Sequence, residues 1–161
     1  MKIGILSDTH DNASAVASAL QKFRLRGVEL LIHCGDIQSP ETIRLFADLP
    51  THFVFGNCDW QPDALAPAIA DIGAQLHQPF GELEIGGKTV GWLHSHDLKL
   101  FLNLEFSDRF DYLFYGHTHK AEQHRRGKTL VVNPGAMFRV KQKTCLVLDP
   151  VAGEFETIEI A

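Results

Sequence analysis

The chain has 161 residues, 45% of them hydrophobic, which is enough to enclose one well-buried core but short for two domains. Its formal net charge of -5 gives no overall reason to expect a surface that binds polyanions, so any phosphate chemistry would need a local cation such as a metal ion. No segment approaches the ~18 consecutive apolar residues of a membrane span, and no signal peptide is recognisable. The three cysteines form no CxxC pair. We therefore expect one domain over residues 1–161, located in the reducing cytoplasm.

The first half of the chain alternates short apolar runs with amphipathic ones. Apolar runs predict three buried strands, over residues 1–6, 28–34 and 51–55. A helix capped by Asn12 and stopped by Gly27 is predicted after the first strand, and a shorter helix from Ser39 to just before Pro50 after the second. This rhythm of strands and helices predicts right-handed parallel crossovers.

The second half contains alternating runs that predict hairpins. The three hairpins cover residues 79–94, 122–135 and 143–160, with glycines at the tips of the first two. A helix over about residues 98–107 and a buried strand over residues 111–115 are predicted between the first two hairpins. The expected fold is therefore an α/β sandwich, with parallel strands and helices first and hairpin strands later.

Polar side chains cluster where five of the predicted strands end. These carboxylate, imidazole and amide groups are Asp8 and His10, Asp36, Asn57, His94, and His117 with His119. Because open α/β sheets bind ligands at the carboxyl ends of their strands, we expect the five segments to meet in one crevice. Carboxylate and imidazole ligands favour divalent metals in a site that processes phosphate, and the two oxygens of Asp36 could bridge two ions about 3.5–4 Å apart. The Asp-x-His and His-x-His pairs contain no cysteine, which argues against a closed structural zinc site.

Five sequence blocks resemble the calcineurin-like metallophosphoesterase family, in particular its small single-domain phosphodiesterase branch of bacteria and archaea. The blocks are Asp8-Thr9-His10, Gly35-Asp36, Gly56-Asn57-Cys58-Asp59, His94-Ser95-His96 and Gly116-His117-Thr118-His119. The resemblance implies a single-domain α/β/β/α sandwich, the metallo-dependent phosphatase fold. It also implies two divalent metal ions, with manganese favoured over iron, nickel or zinc, and in-line attack of a metal-bridging hydroxide on a small phosphodiester.

The resemblance also assigns roles to individual residues by position. The first metal would be held by Asp8, His10 and His119, the second by Asn57, His94 and His117, with Asp36 bridging the two. Catalytic roles fall to His96, Asp59 and Asn57. His96 is expected to touch the substrate phosphate or to contribute at the first metal, with plain solvation as the alternative. Asp59 is expected to orient a histidine or a loop amide rather than to bind metal.

The chain departs from the family pattern at three positions. At one of them Asp11 stands where glycine is usual, and its carboxylate is expected either to repel an anionic substrate or to help Asn12 cap the helix. Cys58 stands where the phosphoprotein-phosphatase branch has a histidine that helps to protonate the leaving group. A thiol with an ordinary pKa of about 8.5 is a poor substitute, which favours diesters or activated leaving groups over alkyl monoesters. The alternative is that Cys58 is only a small buried filler. Ser95 replaces a glycine between two histidines, which leaves the placement of His96 less certain.

Two other functions stay open at this point. One is a phosphomonoesterase or nucleotide phosphatase. The other is a non-catalytic scaffold, like the retromer subunit of this fold, although competent ligands at all seven metal positions disfavour it.

Four further histidines are expected to be structural or at the surface: His33, His52, His77 and His124. A basic stretch is expected to be solvated rather than to bind nucleic acid, and comprises Arg125, Arg126, Arg139, Lys141 and Lys143. The hairpin edges are compatible with a homodimer.

Overall fold

Eleven strands and four helices follow one another along the chain, and the computed structural model describes residues 1–161. The strands are β1 (Lys2–Leu6), β2 (Val28–His33), β3 (Thr51–Phe53), β4 (Gln75–Leu76), β5 (Gly81–Ile85), β6 (Lys88–Leu93), β7 (Tyr112–Tyr115), β8 (Glu122–Arg126), β9 (Thr129–Asn133), β10 (Lys143–Asp149) and β11 (Glu154–Ile160). The helices are α1 (Ala13–Leu25), α2 (Pro40–Arg44), α3 (Pro62–Asp71) and α4 (Leu98–Glu105). None of these helices has the length and apolar character needed to cross a membrane.

The strands form two sheets. The first has the order β11-β10-β1-β2-β3-β4, in which β1 to β4 are parallel and β10 and β11 are antiparallel. The second has the order β5-β6-β7-β9-β8, in which β6, β7 and β9 are parallel and the edge strands are antiparallel. The carboxyl ends of β1, β2 and β3 therefore lie along one edge of the first sheet, and those of β6, β7 and β9 along one edge of the second.

The core has three apolar layers, which gives the α/β/β/α order expected from the sequence. Between the sheets, Ile5 and Ile32 of the first sheet join a cluster with Trp92 and Phe114 of the second. Helices α1 to α3 cover the outer face of the first sheet, where Phe23 is fully buried. Helix α4 covers the outer face of the second sheet through a smaller cluster. Truncating a buried phenylalanine to alanine costs about 3–5 kcal/mol, so the packing of Phe23 alone is a large share of domain stability.

Most of the predicted elements are present, with differences at their ends. The Asn12 side chain accepts a hydrogen bond from the N–H of Ala15, so it caps α1 as predicted. The second helix is shorter than predicted and gives way to turns after Arg44. The third strand ends at Phe53 rather than at residue 55, and beyond it the N–H of Gly56 donates to the Asp59 carboxylate.

Helix α3 and the short strand β4 lie in residues 60–78, where the sequence patterns predicted no element. Helix α3 has Pro62 at its start and Pro67 inside it. A proline inside a helix removes one backbone donor and argues against a helix in sequence patterns. The helix forms nonetheless because Leu65, Ala68 and Ile69 are buried against the first sheet.

Candidate metal centre

The seven predicted metal ligands lie in the loops that follow five strands. Asp8 and His10 follow β1, Asp36 follows β2, and Asn57 follows β3. His94 directly follows β6, and the pair His117 and His119 follows β7. Since β6 and β7 belong to the second sheet, the ligands come from both sheets.

The structure brings these side chains into two adjoining groups. In the first, the Nε2 atom of His119 lies 3.2 Å from Oδ1 of Asp8 and 3.3 Å from Nε2 of His10. In the second, Oδ1 of Asn57 lies 3.0 Å from Nε2 of His94 and 3.0 Å from Nδ1 of His117. Such clusters of imidazole, carboxylate and amide groups are suited to divalent cations.

Asp36 lies between the two groups through a single oxygen atom. Its Oδ2 is 3.4 Å from Nε2 of His10 and 3.1 Å from Nε2 of His94. Its Oδ1 faces away and accepts a hydrogen bond of 2.8 Å from the N–H of Cys58. The sequence suggested a bridge through both carboxylate oxygens, whereas in the structure Oδ2 alone faces both groups.

One oxygen of Asp8 is an orphaned buried atom. Oδ2 accepts hydrogen bonds from the Ser7 hydroxyl at 2.6 Å and from the N–H of His117 at 3.1 Å. Oδ1 is buried and has no hydrogen-bond partner, which is costly for a carboxylate oxygen unless a cation meets it. Burial raises the pKa of Asp8, but the imidazoles of His10 and His119 outweigh burial and hold the pKa well below its ordinary value. The donor set at Asp8 therefore fits a metal ion.

Hydrogen bonds behind the ligands fix their orientation. The Nδ1 atom of His94 donates to the carbonyl of Cys34 at 2.8 Å, which leaves Nε2 free to face Asp36 and Asn57. His33 is fully buried and joins two of the loops, with the Thr9 hydroxyl 3.0 Å from Nε2 and the N–H of Gly35 donating to Nδ1. His33 is thus a structural histidine, as predicted. His124, which contacts Glu105, also lies outside the centre.

Asp59 holds two of the loops through backbone amides. Its carboxylate accepts four N–H hydrogen bonds of 2.7–2.9 Å, from Asp36, Ile37, Gln38 and Gly56. Burial raises the pKa of Asp59, while three of these amides, those of Gly56, Gln38 and Ile37, act in the opposite direction. The contacts of Asp59 are thus with loop amides, which fixes the backbone that carries Asp36 relative to the backbone that carries Asn57.

The backbone is left-handed at five of the seven ligand positions. The φ angles are +52° at Asp8, +41° at His10, +60° at Asp36, +81° at His117 and +60° at His119. Ser95 also has a φ of +77°. Glycine adopts this conformation without steric cost, which explains why it is usual at this position in the family that the sequence resembles. Non-glycine residues in this region cost of order 1–3 kcal/mol each and concentrate at functional sites.

Two glycines leave room for the carboxylates. A Cβ atom at Gly56 would lie 2.1 Å from Oδ1 of Asp36. A Cβ atom at Gly116 would lie 2.0 Å from the Ser7 hydroxyl and 2.7 Å from Oδ2 of Asp8. Any larger residue at either position would collide with these side chains.

His96 and Cys58 lie at the rim of the centre. The exposed ring of His96 is 5.5 Å from the ring of His94 and 6.4 Å from that of His117, so it lies beside the second group rather than the first. Cys58 is partly exposed, so it is not the buried filler considered from the sequence. Burial and the nearby Asp36 carboxylate raise the pKa of the Cys58 thiol to about 11.

A cavity of about 450 Å³ opens above the ligands. Its walls include four of the predicted histidine and amide ligands, His10, Asn57, His117 and His119, together with Asp36. Four lining residues were not predicted for the site: Trp60, Phe138, Arg139 and Gln38. The first two are aromatic residues in loops, where no periodic pattern marks them, and Arg139 was expected to be part of a solvated basic stretch.

Comparisons with known proteins agree with this geometry. Residues 1–152 match the calcineurin-like phosphoesterase superfamily domain. The chain is 33% identical over 138 residues to a phosphodiesterase of Methanocaldococcus jannaschii, which covers 84% of this chain and 83% of that protein. It is 25% identical over 154 residues to the phosphodiesterase YfcE of Escherichia coli strain K12, with 85% and 79% covered. Its fold superposes on a solved archaeal phosphodiesterase with a TM-score of 0.89, at 30% identity over 99% of both chains.

Proposed function

The chain belongs to the calcineurin-like phosphoesterase superfamily, and we propose that it is a phosphodiesterase that hydrolyses small phosphate diesters with two divalent metal ions. The observation that carries the proposal is the position of Asp36 Oδ2 between two groups of ligands, each completed by residues from both sheets. Asp8, His10 and His119 would hold one ion and Asn57, His94 and His117 the other, with Asp36 contacting both.

The metal ions and the residues around the centre would have different roles in catalysis. Two bound divalent ions would lower the pKa of water and offset the negative charge that builds on the phosphoryl oxygens. Asp8 and Asp36 present one oxygen each because their other oxygens are held by protein hydrogen bonds. His96 lies within reach of a phosphate held beside His94 and His117, where it would contact the phosphate or the leaving group.

Several finer points belong to the same proposal. Manganese is the favoured metal, and oxygen and imidazole ligands also suit iron, nickel and zinc. Cys58 supplies a thiol where an acidic imidazole would assist an alkyl leaving group, which favours diesters over monoesters. All three cysteines are free, which supports an assignment to the reducing cytoplasm.

The proposal is tested by comparing two substrates after metals are stripped and manganese is added back. We expect manganese-dependent turnover that favours bis-p-nitrophenyl phosphate over p-nitrophenyl phosphate. The variant His117→Ala should lose nearly all turnover, at least a hundredfold, while circular dichroism shows the fold retained. Asn103→Ala, an exposed residue of α4, is the matched control and should keep full turnover.

The other outcomes separate the competing functions. Preference for the monoester would establish a phosphomonoesterase or nucleotide phosphatase in place of the diesterase. No turnover with any added divalent metal would leave the protein-interaction scaffold as the function to pursue.

A further inference from the structure

We propose that Trp60, Phe138 and Arg139 form a recognition surface for phosphodiesters that carry a flat aromatic substituent, such as a nucleobase or an aryl group. The inference deepens the proposed function and rests on it, because the surface would bind the substrate of the same centre. All three residues line the cavity above the metal ligands.

Trp60 is an exposed aromatic side chain at the cavity. The residue is 74% exposed, although tryptophan has a large apolar side chain. It directly follows Asp59, whose carboxylate fixes the preceding loop through the N–H groups of Gly56 and Asp36. Because Trp60 lines the cavity, its exposed ring is available to a planar group of a ligand bound there.

Phe138 is held next to a metal ligand. Its ring centroid lies 4.9 Å from that of His10, with an angle of 34° between the ring planes. The preceding residue, Met137, is fully buried, and its N–H donates to the Asp8 carbonyl at 3.1 Å. The Asn12 amide donates to the Met137 carbonyl at 2.7 Å, so the loop before Phe138 is fastened to the loop that carries Asp8 and His10. A planar group stacked on Phe138 would therefore lie at a fixed position beside the first ligand group.

Arg139 supplies a positive charge that no protein carboxylate neutralises. Its guanidinium lies 5.0 Å from the centroid of the Phe138 ring, and it forms no ion pair. The two other arginines that stack on phenylalanines do contact carboxylates: Arg109 contacts Glu82, and Arg126 contacts Glu105. The backbone of Arg139 is left-handed, with φ of +51°, which is uncommon for arginine. An unpaired guanidinium at the edge of a phosphate site is suited to an anionic ester.

Two aromatic rings and one unpaired guanidinium in the same cavity indicate the class of substrate. Stacking on aromatic side chains is tolerant of which base or aryl ring is bound, because every such ring has a π-face. A phosphodiester has two substituents, so one can be the leaving group while the other stacks. The cavity of about 450 Å³ has room for a nucleoside-sized group next to the phosphate.

The test compares two diesters that share a leaving group, with the manganese-loaded protein. The substrates are the p-nitrophenyl ester of thymidine 5′-phosphate and methyl p-nitrophenyl phosphate. We expect wild-type kcat/KM to be about tenfold higher for the thymidine ester. Trp60→Ala and Phe138→Leu should reduce this ratio to about twofold or less, and Arg139→Gln should raise KM several-fold for both esters with a smaller effect on kcat.

Two variants serve as controls for this experiment. Trp60→Phe keeps an aromatic ring and should keep most of the preference. Phe106→Ala removes an exposed phenylalanine that follows α4 and stacks with Arg126 of β8. Phe106 does not line the cavity, so this variant should leave both rates at wild-type values. Equal wild-type kcat/KM for the two esters, or a ratio that survives Trp60→Ala and Phe138→Leu, would overturn the inference.

A binding measurement separates this inference from the proposed function. The chain has two tryptophans, and Trp92 is fully buried, so ligand-dependent changes in tryptophan fluorescence report mainly on Trp60. Diphenyl phosphate should give a saturable change that is lost in Trp60→Phe, whereas dimethyl phosphate should give none. This result without turnover of any diester would reject the proposed function and keep the recognition surface. The same response to both ligands, or a response to neither, would reject the surface.

Discussion

The left-handed residues around Asp36 show how the centre balances strain against hydrogen bonding. Five ligand positions have unfavourable φ angles, at of order 1–3 kcal/mol each. The Asp59 carboxylate offsets part of this strain through its four amide hydrogen bonds, since bonds to charged groups contribute about 1.5–3 kcal/mol each. These bonds hold the loop that carries Asp36 against the loop that carries Asn57.

Ser95 allows the strain at one position to be measured. Its φ is +77°, and its hydroxyl donates to the Gly116 carbonyl at 2.8 Å. Ser95→Ala loses that hydrogen bond and keeps the strain, whereas Ser95→Gly loses the same bond and relieves the strain. We expect Ser95→Gly to be about 1 kcal/mol more stable than Ser95→Ala in urea unfolding, because a left-handed non-glycine residue costs about 1–2 kcal/mol. Equal stability of the two variants, or a less stable glycine variant, would contradict a strain of this size.

At the scale of single elements, strands and tight turns were predictable from the sequence, while helix α3 was not. Apolar runs with sharp polar ends mark β1, β2 and β7, and the Gly86-Gly87 pair marks the turn between β5 and β6. In α3, Pro67 hides the helix in local patterns, and only burial against the first sheet explains why it forms. Trp60 and Phe138 escape prediction for a related reason, since their importance depends on loops that meet only in the folded chain.

The edge formed by β3 and β4 contains a pair of histidines that should make stability depend on pH. His52 is buried on β3, and its Nδ1 lies 2.9 Å from Nε2 of His77, which follows β4. Burial and then the neighbouring His77 lower the pKa of His52 from 6.5 to about 4. Between these values the unfolded chain takes up a proton that the folded chain does not. The stability from neutral His52 is therefore complete above about pH 6.5 and is lost as the pH falls toward 4.

One proton that only the unfolded chain takes up lowers the free energy of unfolding by about 1.4 kcal/mol for each pH unit of acidification. Between pH 7 and pH 5, wild type should lose about 2 kcal/mol more than His52→Gln in the free energy of unfolding, measured with urea. His33, whose pKa is lowered by burial to about 3, is present in both proteins and serves as a common background. Identical pH dependence in the two proteins would contradict the prediction.

At the scale of the whole molecule, the centre depends on how the two sheets pack. Each ligand group takes residues from loops of both sheets, so the apolar layer between Ile32 and Trp92 sets the spacing of the ligands. The sequence could indicate the seven candidate ligands, because each stands at the end of a recognisable strand. It could not indicate that Asp36 faces both groups through Oδ2 alone, because that depends on the N–H of Cys58.

The most direct test of a two-metal centre is the number of manganese ions bound per chain, measured by equilibrium dialysis followed by metal analysis. We expect two ions in wild type and in the control Asn103→Ala, and one in Asn57→Ala, which lacks the amide that contacts His94 and His117. One ion or none in wild type, or two ions retained in Asn57→Ala, would contradict the assignment of these residues to two metal ions.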